Sequence, residues 1–479
     1  MMLLIVIRKL GILFIKRVAS TSLKLNLRLI ILLILMISGF SQFYDRSRAT
    51  SNLQISDLPE LSISDYQRAL IITAHPDDET LGAGGFIQEA LAKDLEVKVV
   101  IVTNGDGQKF APFALNRRII PRADDYISLG QRRQKEALVA LKQLGLDPAQ
   151  VIFLGYPDRR INQLWLANWN TDCPIKSAYT RLTHSTYSST FRSEEEYCGS
   201  DLTKDFLEIL GNFRPDLIIL PHPNDEHPDH RATGNFARLA AAILSTSDPD
   251  YHPEFLGYLV HYGFFPQPRK MPLNASLLPP VPLSDEGSQW FRLDLDDEQI
   301  KNKLQALNQY PSQIRLLGNF LPSFARRNEI FVELPLSDLA PIELKILPLH
   351  QIGNTKGINE LLIPEPDRES ARRLLLKGAD LVGWRIARLG DQLILTADAR
   401  GRLIPGLRYR ILLKTPDGET HIYTLKSSEV TAYFNTFRAQ IDLAEIGDPP
   451  VLGFAADISE GTFLDRTGWN FVILRDWLP

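Results

Sequence analysis

The chain has 479 residues and a net charge of −4, with 44% hydrophobic and 23% charged residues, a composition typical of globular proteins. Its length suffices for two or three domains that each bury a core. Residues 1–50 hold eight of the 53 Lys and Arg residues but one of the 57 Asp and Glu residues, so the rest of the chain is acidic. This acidic body argues against a nucleic-acid partner, because phosphate binding requires a basic face.

The N-terminal residues have the charge pattern of an export signal. Six Lys and Arg residues precede an uncharged apolar run at residues 29–44. Such a pattern is typical of a signal peptide or a signal anchor, and a buried core helix would not explain the one-sided charge. We expect a basic cytoplasmic head at 1–28, a signal anchor or signal peptide at 29–44 and a linker at 45–65. The rest of the protein would then be extracytoplasmic, either membrane-anchored or secreted after cleavage.

The chain has two cysteines, Cys173 and Cys198, both in one irregular segment. In an oxidising compartment they can pair, and closing the loop between them would stabilise the fold by about 3 kcal/mol. The alternative is two unpaired thiols. Because the N-terminal pattern indicates export, we expect the disulfide.

Residues 66–262 alternate strand and helix patterns. Helical patterns lie at residues 128–144 and 231–244. Nearly continuous apolar runs, typical of buried parallel strands, occur at residues 69–73, 97–103, 151–154, 216–220 and 255–261. The alternation predicts an α/β fold, a Rossmann-like parallel sheet with helices on both faces. Ligands of such sheets bind beyond the carboxyl ends of the strands.

The other segments extend this domain, which we place at residues 66–335. A helical pattern at 296–317 returns to it, a linker is predicted at 336–375, and short β runs between turn residues predict a C-terminal antiparallel β-sandwich at 376–479. An insertion at 156–200 interrupts the alternation. Its aromatic residues could line a sugar site, although packing onto the domain is the expectation for any one of them: Trp165, Trp169, Tyr179, Tyr187 and Tyr197.

Polar motifs directly follow two of the predicted strands. The run His-Pro-Asp-Asp-Glu at residues 75–79 follows the first strand, and residues 221–232, which contain three histidines, follow the strand at 216–220. The ends of two strands of one parallel sheet therefore present imidazoles and carboxylates to the same crevice. A divalent metal explains this combination best, because catalytic zinc takes three protein ligands from His and Asp or Glu and keeps one position open for water.

The spacing suggests a role for each residue. His75 and Asp78 lie three residues apart across a tight turn, and His230 could supply the third ligand. Asp77 then remains as a general base for the metal-bound water. His227 is placed to act as an acid or as an oxyanion donor.

Asp229, between the last two histidines, could fix the tautomer and orientation of an imidazole. Two histidines and a carboxylate also describe the non-haem iron(II) site. An adjacent free carboxylate base favours hydrolysis over oxygen chemistry, so we predict Zn²⁺ as the cofactor.

These motifs resemble those of the PIG-L/LmbE-like N-acetylglucosaminyl deacetylase family, zinc enzymes that remove acetyl groups from N-acetylglucosamine-containing substrates. The resemblance is carried by Ala-His-Pro-Asp-Asp-Glu at residues 74–79 and His-Pro-Asp-His at 227–230, with support at 102–107, 132–145 and 303–313. It covers residues 66–330, roughly, and the paired motifs are specific. The insertion at 156–200 and the C-terminal β region depart from the shorter relatives.

The resemblance implies a role for each motif residue. It implies the metal ligands His75, Asp78 and His230, the general base Asp77, its electrostatic or acid partner His227, and the supporting Asp229. It also implies that Arg133 contacts the substrate. The alternative for Arg133 is an ion pair with Glu136 on the helix surface.

We therefore predict a zinc-dependent hydrolase that removes an acetyl group from an N-acetylglucosamine-type substrate, with Asp77 as the general base. The partner would be an N-acetylated amino sugar in a glycan or glycolipid, with membrane attachment through the N-terminal apolar segment. One alternative is an amidohydrolase for another N-acyl compound. The other is a non-catalytic glycan-binding or assembly protein, which would not need the base.

Overall fold

A computed structural model describes residues 54–108, 120–193, 195–269, 273–284, 288–339, 361–364, 376–425, 435–460 and 462–474. The predicted head at 1–28 and apolar segment at 29–44 lie outside these residues. Crossing a bilayer as a helix requires about 20 predominantly apolar residues. Within the described ranges no helix meets this requirement, and the two longest, Ala123–Gln143 and Pro228–Ser247, contain charged residues. The prediction of a membrane-anchored or secreted protein is contradicted and is not retained.

The central sheet confirms the predicted α/β fold. Its strands are β1 (Arg68–Thr73), β2 (Glu96–Thr103), β3 (Val151–Tyr156), β4 (Leu217–Pro221), β5 (Glu254–Tyr258), β6 (Trp290–Asp294) and β7 (Asn328–Glu333), in the order β3-β2-β1-β4-β5-β7-β6. The first five are parallel, β7 pairs antiparallel with β5, and β6 pairs antiparallel with β7. The chain proceeds from β1 to one side and from β4 to the other, so these two strands form the topological switch point where such sheets bind ligands.

Two groups of helices pack with this sheet. They are α1 (Asp78–Ala92), α2 (Ala123–Gln143), α3 (Ile161–Leu166), α4 (Gly199–Phe213), α5 (Pro228–Ser247), α6 (Asp297–Leu307) and α7 (Pro311–Leu317). Helices α1 and α2 contact α6, whereas α3 and α4 contact α5. The single helical pattern predicted at 296–317 is two helices, because Pro311 lacks the N–H that would continue α6 and instead begins α7.

A buried ion pair lies at a break in the middle of helix α1. Ala83 has non-helical φ and ψ angles, which leaves main-chain groups on both sides without helical partners. Lys303 Nζ donates to Leu81 O at 3.0 Å, and the Glu329 carboxylate accepts the N–H groups of Gly85 and Phe86 at 2.6 and 2.8 Å. Lys303 and Glu329 are also 2.5 Å apart, so each charge is paired where it is buried.

The C-terminal strands form the predicted antiparallel sheets. The strands are β8 (Ser337–Leu339), β9 (Leu361–Pro364), β10 (Leu381–Leu389), β11 (Gln392–Ala399), β12 (Arg408–Lys414), β13 (Thr420–Leu425), β14 (Thr436–Asp442), β15 (Val451–Glu460), β16 (Thr462–Arg466) and β17 (Asn470–Leu474). One sheet has the order β14-β11-β10-β9, and the other β13-β12-β15-β17-β8 with β16 beside β15. Trp384 contacts Phe454 and Tyr409 contacts Phe437 across the two sheets.

Two details of this region bear on the sequence predictions. Strand β8 lies inside the predicted linker at 336–375 and pairs in parallel with β17, the one pair of these two sheets described that is not antiparallel. The domain boundaries at 66–335 and 376–479 stay predictions. The expected disulfide is wrong: Cys173 and Cys198 are both free, the first exposed and the second buried with its Sγ 3.3 Å from Ser200 Oγ.

Candidate metal centre

The two polar motifs meet at the switch point of the central sheet. His75 and Asp78 follow β1, and His230 lies in the first turn of α5, after β4. His75 Nδ1 lies 3.2 Å from Asp78 Oδ2 and 3.2 Å from His230 Nε2, and His230 Nε2 lies 3.1 Å from Asp78 Oδ2. Three donor atoms of the expected ligand residues therefore form a nearly equilateral triangle. We call these three residues the triad.

The triad has the dimensions of a metal site. Ligands arranged tetrahedrally at about 2.0–2.1 Å from zinc are separated by roughly 3.3 Å, close to the observed edges. The three side chains are buried, with 7%, 1% and 0% of His75, Asp78 and His230 exposed. Each of these residues also belongs to a group of His and Asp side chains spaced so that they could hold a metal ion. Two imidazoles and one carboxylate on a divalent cation therefore fit this geometry.

Carboxylates lie behind both imidazoles of the triad. Asp225 Oδ2 is 3.2 Å from His230 Nδ1, and Asp158 Oδ1 is 3.3 Å from His75 Nε2, the ring nitrogens that face away from the triad. Asp229 Oδ2 is 3.6 Å from the same nitrogen of His75 and accepts the main-chain N–H of Arg159. Carboxylates in these positions hold metal-binding imidazoles in one orientation and tautomer.

The electrostatics of the cluster favour a positive charge. Burial opposes protonation of His75, but the neighbouring Asp158, Asp229 and Asp78 outweigh it and hold the pKa of this imidazole well above its ordinary value. Likewise, burial opposes ionisation of Asp225, yet the charge of His230 keeps the pKa of Asp225 below its usual range. A bound cation would satisfy these carboxylates, as expected for the donor set of a metal site.

Asp77 stands beside the triad without joining it. It occupies the N-cap of α1 with a φ of 132°, a conformation rare for a residue with a side chain. Its Oδ2 lies 3.2 Å from Arg133 Nη2, and its main-chain N–H donates to Glu79 at 3.1 Å. Burial raises the pKa of Asp77 to about 7, although the charge of Arg133 opposes the rise. A strained, buried carboxylate next to a cation site suits a general base.

Arg133 and Glu79 hold the turn that presents Asp77. Arg133 donates to Pro76 O at 2.7 Å and to Gly105 O at 3.0 Å. Its alternative partner Glu136 instead accepts from Ser312, so the surface ion pair considered for this helix does not form. Glu79 is fully buried and accepts the hydroxyl of Tyr310 at 2.5 Å.

His227 is the N-cap of α5 and faces the triad. Its Nδ1 accepts the N–H of Asp229 at 3.3 Å, and its ring centroid lies 4.6 Å from that of His75. Burial and the neighbouring imidazoles hold the pKa of His227 well below its usual value. The ring is therefore neutral with its proton on Nε2, which makes it a hydrogen-bond donor.

Three residues of this centre did not stand out in the sequence: Asp158, Asp225 and His261. Asp158 follows β3, so it lies at a third strand end, and Asp225 lies within the second motif. Both residues therefore lie beyond the carboxyl end of a parallel strand, which is the position that pointed to the other proposed ligands. His261 carried no such signal, because it was assigned to a strand predicted at 255–261, whereas β5 ends at Tyr258.

The aromatic residues of the insertion mostly pack onto the protein. Trp165, Trp169, Tyr187 and Tyr197 are at most 8% exposed. Trp165 contacts Trp469 of the C-terminal strands, and Lys414 Nζ donates to Trp165 O at 2.9 Å. Tyr179 alone of the five is half-buried. The expectation that these residues pack onto the protein is therefore confirmed for the four buried rings.

Known proteins resemble the part of the chain that contains this site. Residues 70–241 match the family model PIG-L: GlcNAc-PI de-N-acetylase. The 1D-myo-inositol 2-acetamido-2-deoxy-alpha-D-glucopyranoside deacetylase of Mycolicibacterium smegmatis is 27% identical over 247 residues, which are 50% of this chain and 71% of that protein. The protein of the same name from a Mycobacterium species is 24% identical over 295 residues, 56% of this chain and 80% of that one.

Solved structures similar to this chain include an N,N'-diacetylchitobiose deacetylase from Pyrococcus horikoshii, which is 20% identical in sequence with a TM-score of 0.36. The alignment covers 62% of this chain and 92% of that protein. The family match begins within β1 and includes β4 and the first turn of α5, so it contains every residue of the triad. The resemblance seen in the sequence is confirmed: this chain carries a PIG-L family domain over residues 70–241.

Proposed function

We propose that the protein is a zinc-dependent hydrolase that removes the acetyl group from an N-acetylglucosamine-type sugar. The observation that carries this proposal is the triangle of His75 Nδ1, Asp78 Oδ2 and His230 Nε2 with edges of 3.1–3.2 Å, beside a carboxylate that does not belong to it. The two relatives compared above are named as deacetylases of an acetamido sugar joined to inositol, which supports the same substrate class for this domain.

The donor set favours zinc over other divalent cations. Magnesium and calcium prefer all-oxygen sites, whereas two imidazoles and one carboxylate with a free position are a common catalytic zinc set. When bound, such an ion supplies a Lewis acid that polarises a carbonyl and lowers the pKa of water. His75, Asp78 and His230 would hold it, with Asp158 and Asp225 behind the two rings.

The chain's own groups then account for amide hydrolysis. Asp77 accepts a proton from the attacking water while Arg133 holds its carboxylate in place. The water oxygen bonds to the acetamide carbon, the C–N bond breaks, and the proton passes to the departing nitrogen. His227 donates from Nε2 toward the oxygen that gains negative charge. The proton of the acetic acid that forms is also taken up by the amine, so the products are acetate and the protonated amino sugar, and atoms and charge balance.

The strained backbone of Asp77 supports catalysis over binding alone. A φ of 132° is costly for a residue with a side chain, and such strain persists where a function requires it. A protein that only binds glycans has no use for a buried carboxylate between Arg133 and the metal ligands. This is the reason to prefer the enzyme over a non-catalytic glycan-binding or assembly protein.

Acetate release by the purified full-length chain tests this proposal. The substrates are N-acetylglucosamine, N,N'-diacetylchitobiose and an N-acetylglucosamine–inositol conjugate, each assayed before chelation, after chelation and after Zn²⁺ is restored. We expect release that chelation abolishes and zinc restores. Release from other N-acyl compounds alone would identify a different amidohydrolase. A zinc-loaded chain that binds these sugars and releases no acetate would contradict the proposal.

A further inference from the structure

A third imidazole, His261, lies beside the triad and has no assigned role. It follows β5 by three residues, in the loop beyond the carboxyl end of that strand. Its ring centroid is 5.0 Å from that of His230 and 5.6 Å from that of His227. One of its ring nitrogens lies within 4.8 Å of ligand atoms of both Asp78 and His230. His261 is therefore a neighbour of the reacting centre.

The main chain and ring of His261 are held firmly. Its N–H donates to Asp225 Oδ2 at 2.9 Å, the same oxygen that lies behind His230, and its carbonyl accepts the N–H of Glu226 at 2.6 Å. The ring stacks on Phe320 with centroids 5.6 Å apart and planes inclined by 8°. A ring fixed in this way is already oriented for a ligand, so binding would cost little conformational entropy.

The ring nitrogens of His261 are available to a ligand. Among the residues that the structure describes, they have no hydrogen-bond partner, and the side chain is partly exposed. By contrast, Asp225 and Asp158 lie behind the two rings of the triad. His261 makes no hydrogen bond with the triad either, so it stands next to the 3.1–3.2 Å triangle without being one of its corners.

His227 and His261 lie near different members of the triad. A His227 nitrogen groups with His75 and His230, whereas that of His261 groups with Asp78 and His230. Both rings are only partly buried, in contrast to the enclosed His75 and His230. Two imidazoles that are less enclosed than the triad therefore lie next to it.

We infer that His261 donates an N–H to the acyl oxygen of the substrate and that, with His227, it forms a pair of imidazole donors for that oxygen. This inference rests on the proposed function, because it concerns the same site. Two positioned donors stabilise the negative charge that the oxygen acquires as water adds, and the same donors would bind the carboxylate of the acetate product.

Substitutions at His261 in the zinc-loaded full-length chain test the inference. His261→Phe keeps an aromatic ring against Phe320 and removes the donor. We expect kcat to fall by about 10²–10³ with KM little changed, as for the loss of one oxyanion donor. His261→Gln retains an N–H and should recover part of that loss. His252→Phe, at an exposed histidine outside the site, should leave both parameters unchanged.

Two further measurements separate this role from others. Acetate binding to the zinc-loaded protein, followed by calorimetry, should weaken by about tenfold in His261→Phe because one charge-assisted hydrogen bond is lost. Zinc affinity, measured by competition with a chelator, should remain that of the wild type. A zinc affinity that falls with the substitution would make His261 a ligand and overturn the inference, as would unchanged acetate binding and kcat.

The acetate titration also distinguishes a failure of this inference from a failure of the proposed function. If the wild-type chain releases no acetate from any sugar, the proposed function is wrong, while the difference in acetate affinity between wild type and His261→Phe still decides the role of His261. If the wild type is active and His261→Phe and His261→Gln are folded and equally active, the inference alone is wrong.

Discussion

Asp225 Oδ2 lies 3.2 Å from His230 Nδ1, on the opposite side of the ring from the nitrogen that faces Asp78. This carboxylate also accepts the main-chain N–H groups of Val260 and His261 at 3.1 and 2.9 Å. One buried side chain therefore sets the tautomer of an imidazole that we propose binds the metal, and it fixes the loop after β5. The proton belongs on Nδ1, and the lone pair of Nε2 is left for a cation.

Replacing Asp225 should weaken metal binding. In Asp225→Asn the amide can still accept main-chain N–H groups, but it loses the charge that supports His230. We expect zinc affinity to fall by about 10–100-fold, the usual effect of removing such a partner. Competition with a chromogenic chelator measures this. Glu226→Gln, at the exposed next residue, is the matched control and should bind zinc as the wild type does. Equal affinities for the Asp225→Asn and wild-type proteins would refute this role.

Asp77→Asn should separate the base from the metal site. Asparagine has nearly the size and shape of aspartate and can still accept a hydrogen bond from Arg133, so the turn should survive. Because it cannot take up a proton, we expect kcat to fall by about 10²–10⁴. Metal analysis should find the wild-type zinc content. Asp78→Asn is the contrasting variant and should lose zinc together with activity. An Asp77→Asn protein with full zinc and an unchanged rate would remove Asp77 from the mechanism.

The position of residues beyond the carboxyl ends of parallel strands accounts for what the sequence could predict of this site. His75, Asp78 and His230 all lie in the segments that follow two neighbouring strands of one parallel sheet, so their convergence follows from topology. The fold class was predictable for the same reason, since apolar runs and helical patterns alternate along the domain. The site roles themselves stay predictions until the variants above are measured.

Other features depend on contacts that no local pattern records. His261 reaches the triad because β5 ends earlier than its apolar run suggests, and its loop is held by Asp225 from another segment. The main-chain groups at the break in α1 near Ala83 are bound by Lys303 and Glu329, more than two hundred residues away in the chain. Such long-range partners determine the final geometry, and periodicity carries no information about them.

The glycines of α1 provide a test of close helix packing. A Cβ on Gly82 would lie 2.3 Å from Cδ2 of the fully buried Tyr258, whereas a Cβ on Gly84 would approach nothing closer than 3.4 Å, to the Lys303 side chain. We expect Gly82→Ala to lower the free energy of unfolding by about 1–3 kcal/mol through overpacking. Gly84→Ala should be neutral, or should raise it by up to about 1 kcal/mol through helix propensity. Urea unfolding of the two proteins measures the difference, and similar values would contradict the packing argument.

Asp205 should make stability depend on pH at a distance from the metal centre. Its Oδ2 accepts the hydroxyl of Tyr156 at 2.9 Å, and its Oδ1 lies 3.3 Å from Arg192 Nη1. Burial, together with the charge of Glu195, raises the pKa of the Asp205 carboxyl to about 7. The unfolded chain therefore releases this proton near pH 4, whereas the folded chain keeps it until near pH 7. Stability that is present below pH 4 is lost as the pH rises through 7.

Asp205→Asn removes this titration. The free energy of unfolding of the variant, relative to that of the wild type, should therefore increase as the pH rises. The change in the difference between their free energies of unfolding from pH 4 to pH 8 should approach about 4 kcal/mol at most, the equivalent of a shift of three pKa units. Chelator is present at both pH values, so that the pH dependence of metal binding does not enter. Urea unfolding of both proteins provides the measurement. The opposite result is a free energy of unfolding of Asp205→Asn that falls relative to the wild type between pH 4 and pH 8. It would show that Asp205 is ionised in the folded protein and stabilised by Arg192 instead.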